Sequence, residues 1–243
     1  MRLDVLMTER GLAPSREKAQ ALIMAGQVLV NRQKADKPGR NVAPDVEIEL
    51  LGQTKYVSRG GLKLEAALDH FRIDPAGRVC LDVGTSTGGF VDCLLQRGAL
   101  RVHAVDVGAS QMHWNLRQDP RVVLHEHTNA RFLKPDALGE PVSLAVCDVS
   151  FISVTLLAAA LAACVAPGGE MVILVKPQFE VGREAVGKGG IVRDAAAREA
   201  ACAKVFAVVG ALGFKLDLIP CPVLGAEGNQ EYLLHAQCAR LKP

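Results

Sequence analysis

Five times between residues 79 and 175 a short apolar run gives way to a polar or helix-like segment. The runs are Val79–Val83, Arg101–Val105, Arg121–Leu124, Val142–Cys147 and Glu170–Val175. Helical patterns at 90–97, 110–118, 153–166 and 194–212 separate or follow them. Near-continuous apolar strands alternating with helices bury both faces of a sheet, which makes that sheet parallel. Two last runs, Phe214–Ile219 and Glu231–Ala236, join through Pro220-Cys-Pro222 and a glycine-bearing stretch with no helix between them. They predict an antiparallel pair at the sheet edge. The fold class is therefore α/β, a mostly parallel seven-stranded sheet with an antiparallel edge pair.

The first run leads into Asp82-Val-Gly84-Thr-Ser86-Thr-Gly88-Gly89-Phe90, a strand, a glycine-rich turn and a helix start. Glycines let backbone approach a ligand, and a helix N-terminus offers free N–H groups, so the turn is a candidate cofactor cradle. Ser86 stands where a dinucleotide fingerprint has its middle glycine, so a pyrophosphate is the poorer fit. Asp106, seventeen residues past Gly89, lies near the spacing at which such folds place an acid on ribose hydroxyls. NAD and S-adenosylmethionine both carry that ribose. The serine and the antiparallel edge pair favour S-adenosylmethionine. Asn129, past the third run, is a further candidate contact for the adenine or a nearby polar group.

In open α/β sheets ligands bind beyond the carboxyl ends of the strands. Four strands end at or near an ionisable residue there: Asp82, Asp106, Asp148 and Lys176. Methyl transfer to a hydroxyl needs a group to take its proton, and a lysine after five apolar residues is placed for that work. Asp148 is positioned to align it. Lys63, a cation in the first turn of a predicted helix, opposes the helix dipole and hints at a use for its charge. Glu231, entering the last strand, completes the set. Segment 178–194, with glycines and the cations Arg183 and Lys188, is expected to be a flexible lid over a polyanion.

The charge of the chain is only +2 overall, yet residues 1–63 hold eleven Lys or Arg against seven Asp or Glu. A polyanion met through the N-terminal part is the expectation. There a helix ends at Gly11, Ser15 caps a second helix from Arg16 to Ala25, and strands are predicted at Val28–Val30 and Val46–Leu50, the pair forming a hairpin. Arg-Leu-Asp, Arg-Gly-Leu, Ser-Arg and Val-Asn in this order resemble the S-four-type, or αL, RNA-binding domain. That resemblance makes Arg16, Lys18, Arg32 and Lys34 candidate phosphate contacts, with Arg59 in the segment that follows. The expected division is 1–57 for this module, 58–61 as a linker and 62–243 for the α/β domain.

The order Lys63, Asp148, Lys176, Glu231 resembles the ribose 2'-O-methyltransferases of the FtsJ type. The whole chain is similar to the TlyA, or haemolysin A, family through Ser58-Arg-Gly-Gly-Leu-Lys63-Leu, the 81–90 turn, Asp106-Val-Gly, Thr128-Asn-Ala-Arg131, Cys147-Asp-Val-Ser-Phe-Ile-Ser153, Lys176-Pro-Gln-Phe-Glu180 and Gly228-Asn-Gln-Glu231. The resemblance implies a Rossmann-like methyltransferase fold and transfer of a methyl group from S-adenosylmethionine to the 2'-hydroxyl of ribosomal RNA, at cytidines of assembled subunits. It implies Lys63, Asp148, Lys176 and Glu231 as the catalytic set. Gly84, Gly88 and Asp106 become cofactor contacts, beside the candidates Asp82, Ser86, Gly89 and Asn129. The chain begins at the αL module without a long C-terminal extension, as in the family's shorter type, which is associated with the large subunit.

Other chemistries fit less well. Asp148-Val-Ser-Phe151 lacks the prolines of an N6-adenine methyltransferase motif, and Cys147 and Cys221 are the candidates for cytosine C5 attack. The family's older name raises a membrane-lytic protein. No cationic amphipathic helix, export signal or spanning run supports it, since the charge-free run 149–169 breaks at Pro167-Gly168-Gly169. An RNA-binding chaperone with an inactive enzyme domain is a third reading. Seven cysteines without C-x-x-C spacing predict free thiols in a reducing cytoplasm and no metal. A monomer is the expectation.

Overall fold

The computed structural model describes residues 1–51 and 55–238. The chain divides into two compact units, Met1–Thr54 and Lys55–Pro243.

In the first unit, helices α1 (Leu3–Glu9) and α2 (Arg16–Met24) cover strands β1 (Val28–Val30), β2 (Gln33–Lys34) and β3 (Ile48–Leu50). Leu3, Met7, Ile23, Val28 and Val30 are its core. Ser15 caps α2 by accepting from the Lys18 amide at 3.3 Å. The expected hairpin becomes a three-stranded sheet with β1 in the middle. Asn31 and Arg32 adopt left-handed φ of 49° and 63°, turning the chain so that Gln33 and Lys34 pair back onto β1. The buried Asp4 accepts from Arg2 Nε at 3.0 Å, Arg16 Nε at 2.9 Å and Gln20 Nε2 at 2.8 Å. These bonds, Arg2 first, hold its carboxyl well below the usual carboxylate range.

The second unit is built on β4 (Val79–Val83), β5 (Arg101–Val105), β6 (Val122–His125), β7 (Val142–Cys147), β8 (Val165–Val175), β9 (Phe214–Pro220) and β10 (Tyr232–Cys238). Their order is β6-β5-β4-β7-β8-β10-β9, parallel through β8, with β10 antiparallel to both neighbours. Alternate side chains serve opposite faces. Cys80, Leu144, Val146 and Val172 meet α3 (Gly60–Phe71) and α4 (Gly89–Gln96) through Leu64, Leu68, Phe90 and Leu94. Leu81, Val83, Ala145 and Ile173 meet α6 (Ala158–Cys164) and α8 (Ala195–Gly210) through Leu161, Val205 and Val209. Short helices α5 (Trp114–Arg117) and α7 (Pro177–Glu180) follow β5 and β8.

Two boundaries differ from expectation. The helix expected over 153–166 divides into a 3-10 turn, Val154–Leu156, and α6, because Ser153 caps the turn and residues from Val165 join β8 by pairing with Val142. Residues 58–61, expected as a linker, lie in the second unit, and Gly60 and Gly61 already open α3. Segment 178–194, expected to be a flexible lid, is tied near its C-terminal end, where Asn229 accepts from the Val192 amide at 3.1 Å and donates to the Gly190 carbonyl at 2.9 Å. No described helix is long and apolar enough to cross a membrane. The seven cysteines are all free.

Tyr56 belongs to the core around α3 and α4, only 2% exposed, and its hydroxyl donates to Glu65 at 2.9 Å. Its ring lies against Gly61, where a Cβ would collide with it. A fragment beginning at Lys55 is therefore expected to unfold cooperatively in urea. One beginning at Ser58 loses the ring and about 3–5 kcal/mol of stability.

Candidate active site

The strand order reverses between β4 and β7, and such a switch point opens a crevice beyond the carboxyl ends of the strands. Gly84 leaves β4 there and Asp148 leaves β7, with the Asp148 amide donating to the Val83 carbonyl at 2.9 Å. Gly84 has φ of +83°, and a Cβ on it would lie 2.5 Å from the Asp148 carbonyl oxygen. Only glycine fits. Two adjoining cavities share Gly84, Ser86, Asp148, Ser150 and Phe151 as common wall.

The first cavity, about 350 Å³, is lined by Asp106 and Asn129 and by apolar Val83, Val105, Val107 and Ile152. The Asp106 carboxylate accepts from the Ser86 amide at 2.7 Å and the Gly108 amide at 2.8 Å. The Ser86 N–H, which a pyrophosphate would need, is thus already bonded to an acid. Asn129 accepts from the Arg131 amide at 3.0 Å, capping a 3-10 turn, while it also lines the cavity. Gly88 lines neither cavity: its φ is +94°, and a Cβ there would meet Leu116 Cδ1 at 2.5 Å, so its role is packing. Gly89 lines the second cavity and backs onto Gly61.

Asp82 lies beneath the turn, fully buried, and lines neither cavity. Neither of its oxygens has a hydrogen-bond partner; the Thr85 hydroxyl turns to the Asp82 backbone carbonyl at 3.3 Å. Burial first, then the charge of Asp148, pushes its carboxyl well above the ordinary value.

The second cavity, about 440 Å³, is lined by all four expected side chains, Lys63, Asp148, Lys176 and Glu231. Lys63 Nζ donates to Glu231 Oε2 at 2.5 Å in a buried pair. Lys176 Nζ donates to Ser150 Oγ at 2.8 Å and lies 2.5 Å from Asp148 Oδ1, a contact of charges rather than an aligned hydrogen bond. Arg59 stands exposed at the rim. Among the lining residues that the sequence did not single out, Ser150 bonds Lys176 as above, and three more stand out. Gln178 has a buried carbonyl oxygen without a partner. Phe151, 91% exposed, and Phe179 meet at 5.2 Å between centroids. The available signal was a phenylalanine three residues after the charged residue at each of these two strand ends, Asp148 and Lys176.

The remaining expected residues lie elsewhere. Arg183 and Lys188 are exposed on segment 178–194 and line neither cavity. Arg16, Lys18, Arg32 and Lys34 are exposed on the first unit. Arg2, not chosen from sequence, shares Asp4 with Arg16. Cys147 and Cys221 are buried with thiols pushed up chiefly by burial, against any role as nucleophilic thiolates. No cluster able to hold a metal ion exists among the described residues.

The loops around the crevice share one backbone feature. Ser86 after β4, Ser110 after β5, His127 after β6 and Phe151 after β7 each adopt left-handed φ, between 48° and 65°. Non-glycine residues held there cost of order 1 kcal/mol each and gather at ligand sites.

A Rossmann-like sheet with a ribose-type acid at its switch point, beside a cavity of paired lysines and carboxylates, defines a methyltransferase. Residues 56–238 match the FtsJ-like methyltransferase family and residues 1–48 match the S4 domain. The chain belongs to the FtsJ-like methyltransferase family. It is 45% identical to a Mycobacterium tuberculosis protein named 16S/23S rRNA (cytidine-2'-O)-methyltransferase TlyA, over 96% of this chain and 88% of that one. It is 36% identical to a Campylobacter jejuni protein named 23S rRNA (cytidine-2'-O)-methyltransferase TlyA, over 97% and 98%. A solved structure from Streptococcus thermophilus, carrying a hemolysin title, superposes with a TM-score of 0.74 at 44% identity, covering 98% of this chain and 88% of that one.

Asp82 gives this site a pH signature. Its raised native value means that, above the ordinary 3.8, the folded chain keeps a proton the unfolded chain releases, so stability falls as pH rises. Asp82→Asn removes that slope, which is at most about 1.4 kcal/mol per pH unit for one proton. Thermal midpoints of variant and wild type measured without ligand from pH 5 to pH 8 are expected to diverge, the variant gaining. A gap independent of pH would contradict the assignment.

Proposed function

We propose that the protein transfers the methyl group of S-adenosylmethionine to the ribose 2'-hydroxyl of a cytidine in ribosomal RNA, with large-subunit RNA within the assembled subunit as the preferred substrate. The observation that carries this reading is the pair of cavities sharing the Gly84–Asp148 wall: a ribose-type acid on one side, two lysine–carboxylate pairs on the other. The names of the two TlyA relatives support the substrate class, and both include 23S rRNA.

S-adenosylmethionine, when bound, supplies an electrophilic methyl group. Asp106 and Asn129 would hold its nucleoside in the smaller cavity, and Gly84 lets it lie close to the β4 backbone. In the larger cavity Lys176, once it has released its own proton to solvent and is a neutral amine, takes the proton of the 2'-hydroxyl, and Asp148 and Ser150 orient the lysine. Lys63 is held by Glu231 and presents a positive charge to the oxygen as it gives up its proton. Phe151, exposed at the mouth, offers a face on which a base can stack, and its neighbour Phe179 narrows the entrance. Arg2 and Arg16, fixed by Asp4, together with Lys18, Arg32, Lys34 and Arg59, offer cations to phosphates.

Labelled methyl transfer to separated ribosomal subunits, followed by nucleoside mass spectrometry, tests this reading. The expected product is 2'-O-methylcytidine from the large subunit; a methyl group on a base would refute it. Lys176→Ala is expected to lower the rate by at least about 10²-fold, the scale of one general base. A double substitution, Arg2→Ala with Arg16→Ala, is expected to weaken subunit binding and flatten its salt dependence, leaving S-adenosylmethionine affinity unchanged by calorimetry.

A further inference from the structure

Two neighbouring strands deliver the residues that would prepare the hydroxyl: β7 runs into the loop Asp148–Ser153 and β8 into Lys176–Glu180. The strands are parallel and in register through Cys147 and Ile173, so the two loops leave the same edge side by side. Three contacts join them in order outward from the sheet. Lys176 meets Asp148 and Ser150, Phe179 meets Phe151, and Glu180 closes the far end. Glu180 Oε2 accepts from Ser153 Oγ at 2.5 Å, and Oε1 accepts from the Val154 amide at 2.7 Å. On the other side Lys204 of α8 donates to the Glu180 carbonyl at 3.0 Å and lies 3.6 Å from Oε2.

The exposure of these contacts differs. Phe151 lies open to solvent, whereas the Glu180 side chain is only 2% exposed. A buried carboxylate is costly unless its oxygens are bonded, and these are bonded to the first loop and to α8 rather than to any group within the cavity. Glu180 lines neither cavity. Its placement is explained by what it joins: the capped turn Ser153–Val154 on one loop, and the one-turn helix carrying Lys176 at its N-cap on the other.

We infer that Glu180 is a positioning residue for methyl transfer, a clamp that holds the β7 and β8 loops together and so fixes Lys176 against Asp148. This rests on the reading of those two residues given above. The clamp works through geometry alone: no proton or electron passes through Glu180. A 1 Å drift of a reacting group can cost about 10²-fold in rate, which sets the scale of the expected effect.

The test uses the full chain, tritiated S-adenosylmethionine and large ribosomal subunits isolated from cells lacking this protein. Rates are normalised to enzyme competent to bind S-adenosylmethionine, so loss of folded protein does not count as loss of kcat. Glu180→Ala is expected to lower kcat by roughly 10- to 100-fold, with KM for subunits and Kd for S-adenosylmethionine within about threefold of wild type. Glu180→Gln, which keeps an acceptor for the Val154 amide, is expected to recover part of that loss. Ser153→Ala lowers kcat on its own and adds little on the Glu180→Ala background, as groups in one contact do. Should Glu180→Ala fail to fold, Glu180→Gln and Ser153→Ala carry the test. Unchanged kcat in the folded variants overturns the clamp. Lys176→Ala in the same assay separates the failures: if it keeps full activity, the catalytic reading and the clamp fall together. If it loses activity while Glu180 variants keep kcat, only the clamp falls.

Discussion

A buried ion pair between residues 168 apart in sequence, Lys63 and Glu231, joins the first helix of the larger unit to the approach of β10, the last strand in sequence, which lies inside the sheet. Removing either charge from water costs several kcal/mol, and their attraction offsets this only with good geometry. That geometry exists only when β10 has inserted between β8 and β9 and α3 has packed on the sheet face. The larger cavity is therefore a property of the completed sheet. Loss of one partner alone would leave the other buried and unpaired, at about 3–5 kcal/mol, more than most single contacts contribute.

The sheet was legible because its signal is dense. Each parallel strand is an apolar run that admits no amphipathic helix, and the last two runs lack a helix between them. The acids and lysine at strand ends were legible for the same reason, since a charge after such a run can only lie at the sheet edge. What escaped was set by partners distant in sequence. Gln33 and Lys34 carry no apolar pattern and become a strand only because a left-handed turn returns them to β1. Val165–Gly169 looked like the end of a helix followed by a breaker, yet pairing with β7 makes it strand. The 58–61 segment has linker composition, but Tyr56 and Gly61 pack ring against backbone and draw it into the core.

Electrostatics was the least legible part. From sequence, Asp82 and Asp106 are equivalent acids at strand ends; in the fold one lines a cavity with two amides on its carboxylate, and the other is sealed without a partner. The difference is one of position: Asp82 lies inside β4, between buried neighbours, whereas Asp106 lies just past the end of β5, and apolar runs alone do not show where each strand stops. Cys147 likewise faces the core beside the edge that holds Asp148.

The four left-handed residues, Ser86, Ser110, His127 and Phe151, also bear on how this crevice can change over evolutionary time. A β-branched side chain at any of them would clash with its own backbone, while glycine would fit and add freedom to the unfolded chain. Variation at these positions is thereby confined to a few residue types, whatever ligand the loops meet. A designer who sought a more stable protein by relaxing them would alter four walls of the site at once. Stability in this chain is better sought away from the loops that hold the crevice in shape.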